Sequence, residues 1–104
     1  METEFQLVIQ FDALSADDFN ELVRLEQPIA DLLGNTAEVD GHDFGMGEFN
    51  FFIFTDCPEA TFRMIQPLIA SRVSNRSMRA GYRRVTEEIH VVLWPPTLAQ
   101  FVVK

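Results

Sequence analysis

Hydrophobic and polar residues alternate at the start of the chain. Large apolar side chains occupy every second position and mostly polar ones lie between them: Phe5, Leu7, Ile9 and Phe11 against Gln6, Val8, Gln10 and Asp12. Because successive side chains of a strand point to opposite faces, this pattern predicts a strand with one buried face.

The apolar spacing then becomes helical, at Phe19, Leu22, Val23, Ile29, Leu32 and Leu33. Ser15 and Asp18 predict a variant of the N-terminal capping box, in which each side chain bonds the backbone of the other residue. Pro28 lacks a backbone donor inside this pattern, so the helix is expected to kink or to split. Gly34 is typical of a helix end.

Two strands joined by a turn follow. Glu38–Asp43 and Glu48–Thr55 are predicted strands, and Gly45 and Gly47 in the link can adopt the positive φ of a tight turn. The second strand is apolar on both faces near its end, which favours a central position in the sheet or a covering partner.

The remainder of the chain predicts a helix and two strands. The helix has Pro58 in its first turn, where the missing N–H breaks no hydrogen bond, and a kink is expected at Pro67. The segment AGYRRV is a predicted short strand, and Ile89–Trp94 is a predicted final strand that two prolines end. The apolar tail TLAQFVVK is expected to pack onto the protein.

This order of elements predicts a single α+β domain over residues 1–104. Strand, helix, hairpin, helix and strand form the ferredoxin-like split βαβ sandwich, βαββαβ. In that fold the first and third strands lie in the middle of an antiparallel sheet, and two helices cover one face. The other face would be open to water or to a partner.

Charge is divided unevenly along the chain. Residues 1–59 hold 14 acidic residues and one basic residue, a net −13, whereas residues 60–104 hold seven basic and two acidic residues, a net +5. An acidic protein repels phosphate backbones, so no nucleic-acid partner is expected. The arginines of the second half are interpreted as solvated residues that balance the acidic half: Arg63, Arg72, Arg76, Arg79, Arg83 and Arg84.

The sequence also bears on cellular location. The segment METEFQLVIQFD has no basic region followed by a long apolar region, so no secretory leader is predicted. No apolar run reaches the roughly 18 residues of a membrane span. The single cysteine, Cys57, excludes an internal disulfide and a cysteine-rich zinc site. We therefore expect a cytoplasmic protein without a membrane partner.

The hairpin carries the densest group of candidate ligands. Carboxylate, imidazole and amide groups lie within a short span at Asp40, His42, Asp43, Glu48 and Asn50. They predict a small-ligand or divalent-metal site, with Asp40 and His42 on one face of their strand. The spacing fails the calcium-binding EF-hand, which would require Phe44 and Phe51 as ligands. The alternative is a structural turn whose side chains bond backbone N–H groups, and the sequence identifies no cofactor.

A second candidate region is the sheet face away from the helices. Strand alternation predicts that this face mixes polar and large apolar side chains: Gln10, Phe52, Phe54, His90, Val92 and Trp94. Because an exposed apolar patch of this kind marks an interface, we expect a protein partner or a second copy of the chain to cover it.

Catalysis is the less favoured class of function. Cys57 at a helix N-terminus is a candidate nucleophile, and His42 and His90 are candidate bases. No sequence motif joins these three residues, so no catalytic residue is assigned.

One combination of segments resembles a group of small bacterial proteins of about this length, for which no function is known. It comprises the signature D-G-H-D-x-G-x-G-E-x-N from Asp40 to Asn50, the capped acidic helix before it, and a Y-R … V-L-W-P ending after it. The resemblance covers most of the chain and supports the fold, but it brings no activity. In that pattern an acidic residue is expected where Cys57 stands, which weakens a catalytic role for the thiol.

The sequence therefore predicts a small non-enzymatic binding or regulatory protein. An immunity-type protein that masks a basic partner is the concrete version, because the net −13 of residues 1–59 would attract basic surfaces. The alternative function is small-ligand or divalent-metal binding at the hairpin.

Overall fold

The computed structural model describes residues 4–73 and 77–103, so Arg76 of the basic group lies outside the described residues. The strands are β1 (Phe5–Asp12), β2 (Ala37–Gly45), β3 (Glu48–Thr55), β4 (Met78–Arg84) and β5 (Val91–Trp94). The helices are α1 (Ala16–Val23), α2 (Glu26–Leu33) and α3 (Pro58–Arg72).

The strands form one antiparallel sheet in the order β2-β3-β1-β4-β5. The α+β class is confirmed, but the ferredoxin-like order βαββαβ, with four strands and two helices, is not, since the described residues contain five strands and three helices. The segment AGYRRV belongs to β4, which pairs with β1, except for Val85 in the turn that follows. The predicted final strand begins at Val91 instead of Ile89 and pairs with β4 at the edge of the sheet.

The first predicted helix is divided into α1 and α2. Ser15 Oγ accepts from the Asp18 N–H at 3.1 Å, and Asp18 Oδ2 accepts from the Ser15 N–H at 3.3 Å, which completes the predicted capping box. The division falls at Arg24 and Leu25. Pro28 therefore lies in the first turn of α2, where its missing donor breaks no helical hydrogen bond.

The start of α3 is tied to the end of β3. Cys57 is the N-cap residue, and its N–H donates to Thr55 Oγ1 at 3.0 Å. The Thr55 hydroxyl also lies 2.7 Å from the Thr61 hydroxyl, so two buried side chains join the strand to the helix. The helix continues as one element through Pro67.

The hydrophobic core lies between the helices and one face of the sheet, here called the helix face. The predicted inward side chains of β1 and β3 are buried there: Leu7, Ile9, Phe11, Phe49, Phe51 and Ile53. The helices contribute Leu22, Ile29, Leu33, Phe62, Ile65 and Ile69. The opposite side of the sheet is called the second face. Among the described residues, no helix is long and apolar enough to cross a membrane.

Candidate functional site

The β2–β3 hairpin contains a bulge that changes which face its side chains occupy. Val39 pairs with Ile53 and Gly41 with Phe52, so Asp40 is the extra residue between them. After the bulge His42 pairs with Phe51 and therefore points to the helix face. The prediction that Asp40 and His42 share a face is wrong, because one inserted residue moves every following side chain to the opposite face of the sheet.

His42 joins the hairpin to α2. Its Nδ1–H donates to Glu26 Oε1 at 2.6 Å, since a carboxylate can only accept. The imidazole stacks on Phe49 with ring centroids 5.1 Å apart and meets the edge of Phe19 at 5.8 Å. These contacts connect strand, helix and core, which is a structural role.

Replacing His42 by alanine is expected to lower the free energy of unfolding by about 1–2 kcal/mol, because the stacked ring and the bond to Glu26 are both lost. Thermal melts of the metal-stripped protein measure this, with divalent cations added in a second series. A cation-dependent rise in Tm that disappears in His42→Ala would contradict the structural role and favour the ligand alternative.

Three of the other hairpin candidates meet two residues of the neighbouring strands on the second face, in a group here called the polar cluster: Asp43, Glu48 and Asn50 with Gln10 and Arg79. Gln10 Nε2 lies at 3.1 Å from both Glu48 Oε1 and Asn50 Oδ1. Asn50 Nδ2 donates to Asp43 Oδ1 at 2.9 Å, and Arg79 Nε donates to Gln10 Oε1 at 2.6 Å. Thus the structure brings Asp43, Glu48 and Asn50 together on the face opposite to that of His42, and Asp40 is exposed at the bulge.

The polar cluster is buried and therefore stabilises the fold. Gln10 and Asn50 are each 2% exposed, and Glu48 is 6% exposed. Arg79 neutralises local charge: its Nη2 donates to Asp12 Oδ1 at 2.8 Å and lies 4.0 Å from Glu48 Oε2. The interpretation of Arg79 and Arg83 as solvated residues is therefore wrong, because both are half-buried, Arg79 over two carboxylates and Arg83 with its guanidinium bonded to Gln6.

The C-terminal segment, residues 95–103, contacts the centre of the second face through Phe101 and Val102. Val102 O accepts from Gln10 Nε2 at 2.9 Å. Phe101 is 5% exposed and lies on Gly81, where an added Cβ would come 2.6 Å from the Phe101 ring. The expectation that the apolar tail packs down is confirmed. The expectation that Gln10 lies on an open face is wrong, since the tail and its polar neighbours enclose it.

The other residues predicted for the partner face do not all lie on that face. Phe52, Phe54 and Val92 are half-buried. Trp94 instead pairs with Ala80 after a register shift in β5, and its ring lies 6.3 Å from that of Phe62 on α3. Trp94 is therefore on the helix side of the sheet, contrary to its predicted position.

His90 precedes β5 and packs against the tail, with its ring 5.3 Å from that of Phe101. Burial lowers the pKa of His90 below its ordinary value of 6.5, and the Arg83 guanidinium lowers it further. Its Nε2 is buried, and among the described residues it has no hydrogen-bond partner. A proton on this ring is therefore disfavoured in the folded protein.

This environment predicts a pH dependence of stability. With its folded pKa depressed, His90 stays neutral at a pH where the unfolded chain binds a proton, so stability is lost as the pH falls below about 6.5. We expect the free energy of unfolding in urea to fall less steeply between about pH 7.5 and 5.5 in His90→Gln than in the wild type. Equal slopes in the two proteins would contradict the assignment.

Cys57 lies on the surface at the start of α3. Neither His42 nor His90 is hydrogen-bonded to it in the described part of the chain, so no nucleophile–base pair is formed there. Within residues 4–73 and 77–103, no group of three or more His, Cys, Asp or Glu residues is placed to hold a metal ion. Comparisons with protein-family models, curated proteins and solved structures gave no match.

Sequence reasoning missed one exposed apolar group, here called the hairpin tip: Leu14, Phe44 and Met46. Leu14 is 85% exposed, Met46 78% and Phe44 42%. Met46 lies between two glycines of a predicted turn, and turn positions face solvent. An apolar residue at that position was the signal that could have identified the tip.

Proposed function

We propose that this protein is a non-enzymatic binding or regulatory module that recognises a basic protein partner, as an immunity-type protein would. One observation carries the proposal. Exposed carboxylates are concentrated on the edge strand β2 and on the two helices beside it, in a surface here called the acidic edge: Asp17, Glu21, Asp31, Glu38, Asp40 and Asp43.

The fold places the elements that carry these carboxylates next to one another at the β2 edge of the sheet. β2 is the outer strand of the sheet, and α2 packs beside it. α1 reaches the same strand through Phe19, whose ring lies 5.2 Å from that of Phe44. Arg24 is the single basic residue among residues 1–59, so acidic residues greatly outnumber basic ones in the part of the sequence that forms the acidic edge. Such a field attracts a basic surface and accelerates its association.

Protection of an exposed sheet edge explains part of this pattern. Charged side chains and a bulge discourage edge strands from pairing with other chains, and Glu38, Asp40 and Asp43 fit that role. Asp17, Glu21 and Asp31 lie on helices, where no strand edge needs protection. The carboxylates on the helices therefore favour partner recognition.

The β4 side of the sheet differs from the acidic edge in two ways: its charged residues are basic, and they are bonded to other groups of the protein. Arg79, Arg83 and Arg84 all lie on β4 and bond to groups within the protein. Arg83 donates to Gln6 Oε1 at 3.0 Å and to three backbone carbonyls. These arginines hold the β4 side together, whereas the six carboxylate residues of the acidic edge are all exposed.

The other functions predicted from the sequence have less support. A homodimer through the second face would have to form around the C-terminal segment that lies on that face. A ligand at the hairpin would have to replace the hydrogen bonds among Gln10, Glu48 and Asn50. Neither arrangement has a specific observation in its favour.

We also propose a finer description of the fold. β1, β2, β3 and β4, with the helices between them, would form a ferredoxin-like split βαβ unit to which β5 is added at one edge. The support is the order β2-β3-β1-β4 within the sheet.

Affinity capture from an extract of the source cells tests the proposed function. The immobilised protein is expected to retain a basic protein at low salt and to release it as the salt concentration rises, because screening weakens interactions between exposed charges. A protein whose surface charge is not basic, or one whose retention does not depend on salt, would contradict the proposal.

A further inference from the structure

The hairpin tip differs from ordinary scattered surface apolar residues. Single exposed apolar side chains are common and need no explanation. Here two separate segments, the β1–α1 loop and the β2–β3 turn, bring Leu14, Phe44 and Met46 to the same end of the molecule. Leu14 Cδ2 lies 3.3 Å from the position of a Cβ built on Gly47, so the loop and the turn are in contact.

Hydrogen bonds hold this end in one conformation. The Ala13 N–H donates to Gly47 O at 3.0 Å, which fixes the loop to the turn. The Leu14 N–H donates to Asp18 Oδ2 at 2.9 Å, within the capping structure of α1. Phe44 is anchored from the other side by the Phe19 ring. The apolar side chains therefore project from a backbone that is already ordered, which lowers the entropy lost on binding.

Local turn chemistry does not account for Met46. Gly45 pairs with Glu48, so Met46 and Gly47 form a two-residue turn, and both have positive φ, 54° and 76°. This is the geometry of a type I′ turn, which strongly prefers Asn-Gly. Methionine is a poor residue for a positive φ and leaves a large apolar side chain 78% exposed.

The surroundings of the tip are acidic. Asp17, in the first turn of α1, follows Leu14 by three positions in the sequence. Asp43 is exposed on the strand that leads into the turn. An apolar centre with a charged rim is the arrangement of an interface hot spot.

We propose that the hairpin tip is the apolar anchor with which this protein docks into a recess of its basic partner, an inference that rests on the proposed function. The negative charge around the hairpin tip indicates which class of partner binds there. Anionic lipid surfaces would be repelled by the carboxylates around the tip. A second copy meeting tip to tip would oppose like charges. A protein whose apolar recess has a basic rim complements both features.

Two substitutions at the tip separate binding from stability. Met46→Asn installs the residue pair that the turn prefers, so Tm is expected to rise by about 2–4 °C. The same change removes the anchor, and the affinity for the partner is expected to fall about tenfold. Leu14→Asn is expected to weaken binding comparably. Ile89→Asn is the matched control, because Ile89 is 84% exposed and lies beyond β4, far from the acidic edge in the sheet order.

The probe is the basic protein retained by the wild-type chain at low salt, purified and titrated against each variant. Higher Tm with weaker binding in Met46→Asn, and unchanged binding in Ile89→Asn, supports the anchor. Unchanged binding in both tip variants, with binding lost in the acidic-edge variant Glu38→Lys/Asp40→Lys, overturns the anchor and leaves the proposed function standing. Failure to retain any basic protein overturns both. Self-association of the wild type that the tip variants abolish identifies a second copy as the occupant and overturns the proposal.

Discussion

Replacing Gln10 by glutamate is expected to lower the free energy of unfolding by about 2–3 kcal/mol, a large effect for a substitution that conserves shape. The amide Nε2 is the donor that faces Glu48 Oε1, Asn50 Oδ1 and Val102 O. A carboxylate offers no donor, and it places a second negative charge beside the buried Glu48. Urea unfolding monitored by circular dichroism measures the loss.

Gln6→Glu is the matched control on the same strand and the same face. Gln6 Oε1 accepts from Arg83 Nε at 3.0 Å, so a carboxylate there keeps its acceptor role and gains an opposite charge nearby. Its effect is expected to stay within about 0.5 kcal/mol. Equal losses from Gln10→Glu and Gln6→Glu would mean that the amide donor of Gln10 does not organise the second face.

Gly81→Ala is expected to destabilise the protein by about 1–3 kcal/mol and to loosen the C-terminal segment. The added methyl group would lie 2.6 Å from Cγ of Phe101 and 2.8 Å from its Cδ1, so the ring must move. Movement of Phe101 also strains the neighbouring bond between Val102 O and Gln10. Hydrogen exchange measured by mass spectrometry should show faster exchange in residues 95–103 than in the wild type.

The control for this substitution is Gly45→Ala. No atom lies within 4 Å of a Cβ built on Gly45, and its φ is not in the left-handed region. We expect a stability change within about 0.5 kcal/mol and no change in exchange of the tail. Unaltered exchange of the tail in Gly81→Ala would contradict the role of the Phe101–Gly81 contact.

Periodicity predicted the two central strands well. In β1 and β3 the alternation of apolar and polar residues continues without interruption, and the side chains predicted to face inward, such as Ile9 and Phe51, are fully buried. Helix starts were also predictable, because Ser15 and Pro58 act through local chemistry that tertiary contacts do not override.

The alternation of residues along the chain predicted the wrong sheet face for side chains in the two edge strands, for one physical reason. β2 has a bulge at Asp40, and β5 shifts register between the residues opposite Gly81 and Ala80. Each irregularity reverses which face the following side chains occupy, and alternation along a short strand does not reveal it. His42 and Trp94 were assigned to the wrong faces as a result.

Burial of the second face depends on a contact that local sequence does not encode. Gln10 and Val102 are 92 positions apart, and the tail covers a strand whose polar residues resemble a solvated face. The sequence did predict that an apolar tail would pack down, but it gave no indication of where. Gly81 opposite Phe101 is the one local sign, since a glycine within a strand often marks a close approach.

The most direct test of the proposed binding function exchanges charge on the acidic edge and, as a control, on α3. The captured basic protein is titrated against Glu38→Lys/Asp40→Lys on the acidic edge and against Arg63→Glu/Arg72→Glu on α3, four residues that are all exposed. We predict that the first variant binds at least about tenfold more weakly and that the second binds equally well or more tightly. Equal weakening by both variants, or undiminished binding by the acidic-edge variant, would contradict recognition through the acidic edge.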